Sequence, residues 1–214
     1  MAPAWEATPL KKIVLTGGPC GGKTECLQAI AQRFGELVVV VPESATLLLN
    51  RPGPAFEEFP DWTSALRAEE SWRKRFQEEV LRSQWELEQA KETEARALGR
   101  QWLVCDRGLL DGAAYWPGGL APFLAHFLLE LQFCQARYHG VIHLESSVMA
   151  GDGFFSRQGN PSRFEEDQEA RLRESLVKQV WDHHPRRAVI AANRDFEQKK
   201  RAVLKEVARF LSEE

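Results

Sequence analysis

The chain alternates short apolar runs with stretches that carry a helical repeat. Lys12-Ile13-Val14-Leu15-Thr16, Leu37-Val38-Val39-Val40-Val41, Trp102-Leu103-Val104-Cys105, Val141-Ile142-His143-Leu144 and Ala188-Val189-Ile190-Ala191 are the apolar runs. Runs this short, rich in β-branched residues and with little polar alternation, predict strands buried on both faces, as in a parallel sheet. Between the first two, Leu27, Ile30, Ala31 and Phe34 recur at i, i+3, i+4, i+7, and Gly35 supplies a stop. From about Asp61 to Leu98, Trp72, Phe76 and Val80 recur at four-residue steps, followed by Leu81 and Trp85. Charged residues fill the other faces, so this stretch predicts one long helix or two joined ones. Its tryptophans are read as core or groove wall, a ligand cage being the alternative.

Further on, the Leu- and Phe-rich stretch Leu120–Cys134 predicts a buried helix, running to about residue 138 and broken in pattern by Pro122, His126, Glu130 and Gln132. It is too short to span a membrane. A surface for a partner protein or a dimer is its second reading. A charged helix is expected from about Phe164 to Trp181, ended by His183-His184-Pro185. Asp195 caps the last helix, with Gln198 three residues on and Val203, Val207, Phe210 and Leu211 facing the core. Residues 45–60, with Pro52, Pro54 and Pro60, predict an irregular surface loop, and Ser146–Ser162 a mobile, Gly- and Ser-rich segment. Five strands alternating with helices predict an α/β fold, a doubly wound five-stranded parallel sheet flanked by helices.

Size and charge narrow the picture. At 214 residues one domain is expected over 1–214, with its core at about 11–212 and no linker long enough to divide it. A net charge of −3 gives no electrostatic footprint for nucleic acid. Cys20, Cys26, Cys105 and Cys134 lack metal-ligand spacing and read as reduced thiols. The start, Met1-Ala2-Pro3-Ala4-Trp5-Glu6, has no basic stretch followed by an apolar core, so no signal peptide is expected and the chain reads as cytoplasmic. The five histidines show no zinc pattern, and no G-x-S-x-G elbow is present.

The chemistry starts at Gly17-Gly18-Pro19-Cys20-Gly21-Gly22-Lys23-Thr24, which fits G-x-x-x-x-G-K-T between a predicted strand and a predicted helix. Glycines let backbone N–H groups curl round an anion, and the helix aims its positive end at the same place. Lys23 then reaches the β- and γ-phosphates, and the Thr24 hydroxyl ligates Mg²⁺. In doubly wound sheets ligands bind at the carboxyl ends of the strands. That rule adds Glu43, Asp106 and Asn193, each directly after a strand. Asp106 is assigned to the Mg²⁺ shell through water, with helix capping as the alternative. Arg107 suits a phosphate or substrate oxyanion. Asp111 either orients Arg107 or caps the next helix. Glu43 is the candidate base for a substrate hydroxyl, against an exposed turn glutamate. Arg157, Arg163, Arg171 and Arg173 lie in and after a lid at about 146–164; Arg163 is favoured to reach the γ-phosphate, with Arg171 even between function and a solvated face. Asn193 either reads the nucleotide base or caps a helix.

Together these residues resemble the P-loop nucleoside and nucleotide kinase group. The chain is more closely similar to the AAA-type NTPase-like domain related to nicotinamide-riboside kinase domains and to the N-terminal part of animal TRP-channel translocation-defect proteins. The resemblance is carried by Leu15-Thr16-Gly17-Gly18-Pro19, Pro42-Glu43-Ser44-Ala45, Asp106-Arg107-Gly108 with Asp111 and Tyr115, and Tyr138 with Val141-Ile142-His143-Leu144. Asn160-Pro161-Ser162-Arg163, Trp181 with His184-Pro185, and Asn193 with Phe196 and Lys199 extend it over roughly residues 11–212. It implies a kinase-like P-loop fold, ATP or GTP binding with Mg²⁺, and an arginine-bearing lid, but names no substrate. The first functional expectation is therefore a kinase that transfers the γ-phosphate to a small nucleoside-like or phosphorylated metabolite. The second is a regulatory NTP-binding module, GTP-preferring or not, that acts through a protein partner. No Thr/Asn-Lys-x-Asp guanine-reading motif is present, which tilts the nucleotide towards ATP.

Overall fold

The computed structural model describes residues 10–50, 70–150, 167–193 and 195–213. In chain order these form β1 (Lys11–Thr16), α1 (Lys23–Phe34), β2 (Val38–Val41), α2 (Ser44–Leu49), α3 (Glu70–Ala97) and β3 (Trp102–Asp106). A 3₁₀ turn (Leu109–Ala114) leads to α4 (Leu120–Phe127), α5 (Leu131–Ala136) and β4 (Gly140–Leu144). A second 3₁₀ turn (Ser147–Ala150), α6 (Asp167–Val180), β5 (Arg187–Ile190) and α7 (Phe196–Leu211) follow. The strands form one parallel sheet in the order β2-β3-β1-β4-β5. The expected α/β fold is present: a doubly wound, five-stranded parallel sheet with helices on both faces.

Alternation along the strands explains why the apolar runs read as continuous. Val14, Leu103, Cys105 and Val141 join Phe123, Tyr138 and Trp181 in a core on one face. Their neighbours Ile13, Leu15, Val104 and Ile142 join Leu27 and Ile30 of α1, and Val203, Val207 and Phe210 of α7, on the other. Both faces of the sheet are covered over β1 to β4, so most positions there are apolar, with Lys12, Thr16, Asp106 and His143 as buried polar exceptions. Ile13, Leu15, Leu103, Ile142 and Phe210 are fully buried. Beneath the carboxyl ends of β1 and β3, the wholly buried Glu88 carboxylate meets Lys12 Nζ (2.8 Å), Arg137 Nε (2.9 Å) and the Tyr138 hydroxyl (2.8 Å). The Tyr138 oxygen also accepts from Leu109 N (2.9 Å), and Gln84 spans Glu88 and the Arg107 carbonyl, each at 3.2 Å. A buried carboxylate needs this many partners to offset its desolvation.

Two expectations are corrected. Residues 45–60 are not irregular throughout, because Ser44–Leu49 is helical. The Leu47 N–H donates to the Glu43 carbonyl (3.2 Å) and the Thr46 hydroxyl to the Glu43 carboxylate (2.5 Å), while Ala45, Leu48 and Leu49 pack on Trp72, Phe76 and Val80. The prolines lie beyond this turn; residues 51–60 are outside the described residues. The apolar stretch 120–138 is two short helices rather than one. Leu128 breaks it in the left-handed conformation (φ 53°) and is 92% exposed, while Leu129 N closes back on the Leu124 carbonyl at 2.9 Å. Phe123 and Cys134 are its fully buried residues, so the stretch is half-buried rather than buried. Trp72, Phe76 and Val80 pack against α2, and Phe76 and Val80 also line the groove. The Asp61–Leu98 helix is seen from Glu70, and the 164–181 helix from Asp167. Among the described residues no helix is long and apolar enough to cross a membrane, and the four cysteines are free thiols.

Candidate active site

The order β2-β3-β1-β4-β5 sets the carboxyl ends of β1, β2 and β3 side by side, and the residues that follow them line one cleft. After β1 the chain turns through Gly17 (φ 137°), Cys20 (φ 57°) and Gly22 (φ 78°) into α1. Gly22 occupies the N-cap, where a Cβ would meet the Phe196 ring at 2.4 Å, so only glycine fits both the space and the angle. Lys23 is buried, and its ammonium donates to the carbonyls of Gly17 (3.1 Å) and Gly18 (2.8 Å). Burial, followed by the charge of Arg107, lowers its pKa. Pro19 to Thr24 line the cleft, whereas Gly17 and Gly18 stay behind the loop.

Arg107 is the hub of the opposite wall. Its backbone is left-handed (φ 70°), an unfavourable angle for a residue with a Cβ, held as its N–H donates to the Leu15 carbonyl at 3.0 Å. Its guanidinium is ion-paired with Glu43 and donates to Asp111 Oδ1 and the Gly17 carbonyl, each at 3.2 Å, and to the Tyr115 hydroxyl at 3.4 Å. Burial opposes the charge on Arg107, but Tyr115, Glu43 and Asp111 outweigh it. Burial likewise pushes Glu43 up, and Arg107, Lys23 and the Thr46 hydroxyl overcome it, holding the carboxyl down at about 2. Asp111 has both roles left open by the sequence. Its Oδ1 accepts from Arg107 and from the Thr16 hydroxyl (2.5 Å), and its Oδ2 from Gly108 N (2.9 Å) and Trp181 Nε1 (3.1 Å).

Asp106 ends β3 and caps no helix. Burial, then the negative charges of Glu43 and Asp111, raise its carboxyl to about 7 against the opposing pull of Lys23 and Arg107. Its Oδ1 is sealed from solvent without a hydrogen-bond partner. A metal-bound water would satisfy such an orphan, and the exposed Thr24 hydroxyl lies on the cleft side. No group of three or more His, Cys, Asp or Glu that could hold a metal ion occurs among the described residues. Mg²⁺ there would depend mainly on nucleotide oxygens and water, as that ion prefers.

Three further outcomes concern residues picked from sequence. Asn193 Oδ1 accepts from Asp195 N (2.9 Å) and its amide donates to Gln198 (3.2 Å), so the side chain serves the start of α7, outside the cleft lining. Asp195 itself caps α7 through the N–H groups of Glu197 (2.9 Å) and Gln198 (3.2 Å). Arg157, Arg163 and all but the first residues of the expected lid lie outside the described residues. Of the arginines after it, Arg173 lines the cleft; it donates to the Ala114 carbonyl (2.7 Å) and lies 5.2 Å over the Tyr115 ring.

The cleft continues from the phosphate loop into a groove of about 210 Å³ in all, walled by Leu49 of α2 and by Phe76, Val80 and Leu81 of α3. Gln77 lines it, is 92% buried by its 8% exposure, and makes no hydrogen bond among the described residues. Sequence reasoning passed over Gln77, Glu174, His143 and Trp181 as site residues. His143 and Trp181 had a signal in the family resemblance, whereas Gln77 and Glu174 had none.

A glycine loop between the first strand and helix of such a sheet, with an acidic residue ending the strand beside it, defines a P-loop NTPase of the kinase-like class. A family model described as an AAA domain matches residues 12–199, and the chain belongs to that family. A search of curated proteins finds no match. Among solved structures, the chain is similar in fold to deoxyadenosine kinase from M. mycoides with bound dATP, at 13% identity and a TM-score of 0.59, over 92% of this chain and 99% of that one.

Proposed function

We propose that the chain is a single-domain, Mg²⁺-dependent kinase that transfers the γ-phosphate of ATP, or GTP, to a small nucleoside-like acceptor. The observation that carries this reading is one continuous cavity that joins the glycine loop, the Glu43–Arg107 pair and the Gln77 groove. A hydrolase needs room only for water, whereas this groove has apolar walls and the Gln77 amide on its lining. An amide donor and acceptor on such a wall suits a flat heterocycle with a matching edge.

In this reading Lys23 leaves the Gly17 and Gly18 carbonyls for the β- and γ-phosphates, and the loop N–H groups cradle them. Thr24 and Asp106 would hold Mg²⁺, which neutralises charge on the phosphate oxygens when bound. Arg107 and Arg173 add positive charge on the acceptor side, with Arg163 a further candidate. Glu43 accepts a hydrogen bond from the attacking hydroxyl and takes its proton. Its low pKa makes it a weak base while Arg107 holds it, so it takes the proton late, once the loose transition state has made the attacking hydroxyl acidic.

The test is incubation with γ-labelled ATP or GTP and a panel of nucleosides and phosphorylated metabolites. Labelled small-molecule product is the expected result. Tight nucleotide binding with label released only as inorganic phosphate, or not at all, would favour the regulatory module.

A further inference from the structure

The face of the phosphate loop turned away from the cleft is gripped by a side chain that neither the glycine motif nor the transfer chemistry accounts for. Glu174, in the middle of α6, is 2% exposed. One of its carboxylate oxygens accepts from the backbone N–H groups of Gly18 (2.7 Å) and Ser146 (3.2 Å). The other pairs with Nε2 of the fully buried His143 at 2.6 Å. A methyl group at Gly18 would stand 2.5 Å from that carboxylate and 2.9 Å from Glu174 Cα. Gly18, a variable position of the motif, thus answers to the helix packed against it. Ser146 reinforces the grip, its hydroxyl donating to the Pro19 carbonyl.

The preceding residue of the same helix, Arg173, faces the cleft through Ala114 and Tyr115. Adjacent positions of α6 therefore touch both sides of the candidate site. A carboxylate this deeply buried is tolerable only while its charge is met by hydrogen bonds. Here the loop amide, Ser146 and His143 supply them, so loop course and helix position stabilise each other reciprocally.

We propose that Glu174, seated by His143, is a positioning residue that holds Gly17–Thr24 in its anion-cradling course, so that displacement of α6 weakens nucleotide binding. The nucleotide arm rests on the kinase reading above; the effect on the loop does not.

The test compares wild type with Glu174→Ala, Glu174→Asp and Glu174→Gln by amide hydrogen exchange of a peptide covering residues 17–24 and by titration with Mg-ATP and Mg-GTP. Aspartate keeps the charge but withdraws it by one methylene. Glutamine keeps the reach, since its carbonyl accepts both amides and its NH₂ donates to His143 when the ring proton sits on Nδ1. Loss of charge-assisted bonds of this kind should speed loop exchange and weaken nucleotide binding about tenfold in the Ala and Asp variants. Glu174→Gln should lie between wild type and the Ala variant, a partial rescue, because the bonding geometry is retained but the ring proton moved to His143 Nδ1 finds no partner there. Should Glu174→Ala not fold, the Asp and Gln variants carry the comparison. Unchanged loop exchange in Glu174→Asp, an increase spread evenly over the sheet, or a Gln variant as weak as Ala would overturn the proposal. Faster loop exchange in Glu174→Asp, with a wild type that takes neither nucleotide, would support the loop role and overturn the nucleotide reading instead.

Discussion

The wall of the cleft formed by Gly17–Thr24 works with backbone groups, whereas the wall facing it works with side chains brought from β2, α3, β3 and α6. The first wall, lined by Pro19–Thr24, is glycine-rich backbone and one lysine, contiguous in the chain. The second needs Arg107 and Asp111, one turn apart after β3, together with Glu43 and Trp181, which are remote in the chain and reach them only through the fold. Its charges also constrain one another: Arg107 lowers Glu43, while Glu43 and Asp111 help to raise Asp106. A backbone wall is interchangeable between enzymes of the class. On the kinase reading, the side-chain wall is where this chain would differ from others of the same fold.

Breaking the backbone wall should have the largest effect. On the kinase reading Lys23→Ala removes the cation proposed to meet the transferred group and should lower transfer about 1000-fold or more, read by label incorporation at saturating acceptor. On the other wall, Gln77→Leu should raise the acceptor KM about tenfold while kcat and the nucleotide Kd hold, since one buried hydrogen-bond pair is at stake. Equal losses for all acceptors and for nucleotide would place Gln77 in the scaffold rather than in the groove.

Asp106 sharpens the comparison through pH. Its folded pKa, about 7, lies above the ordinary carboxylate value, so the stability it contributes is full below about pH 4 and is lost as pH rises through 7. Glu43 has the opposite sign, its contribution being present above the ordinary value and lost only as pH falls through about 2. Between pH 5 and 8 the Asp106 effect should therefore dominate this pair. Asp106→Asn should raise the Tm of nucleotide-free protein at pH 8 by about 3 °C or more and flatten its pH dependence. The same variant should weaken the stabilisation that Mg-ATP confers. A Tm difference that does not depend on pH would contradict the raised pKa. A purely structural effect is expected for Trp181→Phe, which loses the N–H to Asp111 and part of a fully buried ring system and should cost about 2 kcal/mol in chemical denaturation.

The same division decides what could be read from the sequence. Strand after strand was legible because burial on both faces demands unbroken apolar runs, and the glycine loop because its donors are contiguous. Asp106 and Glu43 could be placed at strand ends by position alone. The roles of Asp111 and Asn193 could not be separated without their partners: Asp111 meets Trp181, 70 residues away, whereas Asn193 bonds only its own helix start. Glu174 resembled any other charge on an amphipathic helix until Gly18 and His143 closed round it. Leu128 shows the converse failure, since nothing in an apolar stretch without glycine signals a left-handed break.

The most direct test of a single transfer site built from both walls is Glu43→Gln, assayed beside wild type for Mg-ATP affinity and for label transfer to the best acceptor. The account predicts nucleotide affinity within about threefold of wild type and transfer lower by about 100-fold or more, as expected for removal of a general base. Unchanged transfer, or a parallel loss of nucleotide binding and transfer, would contradict it.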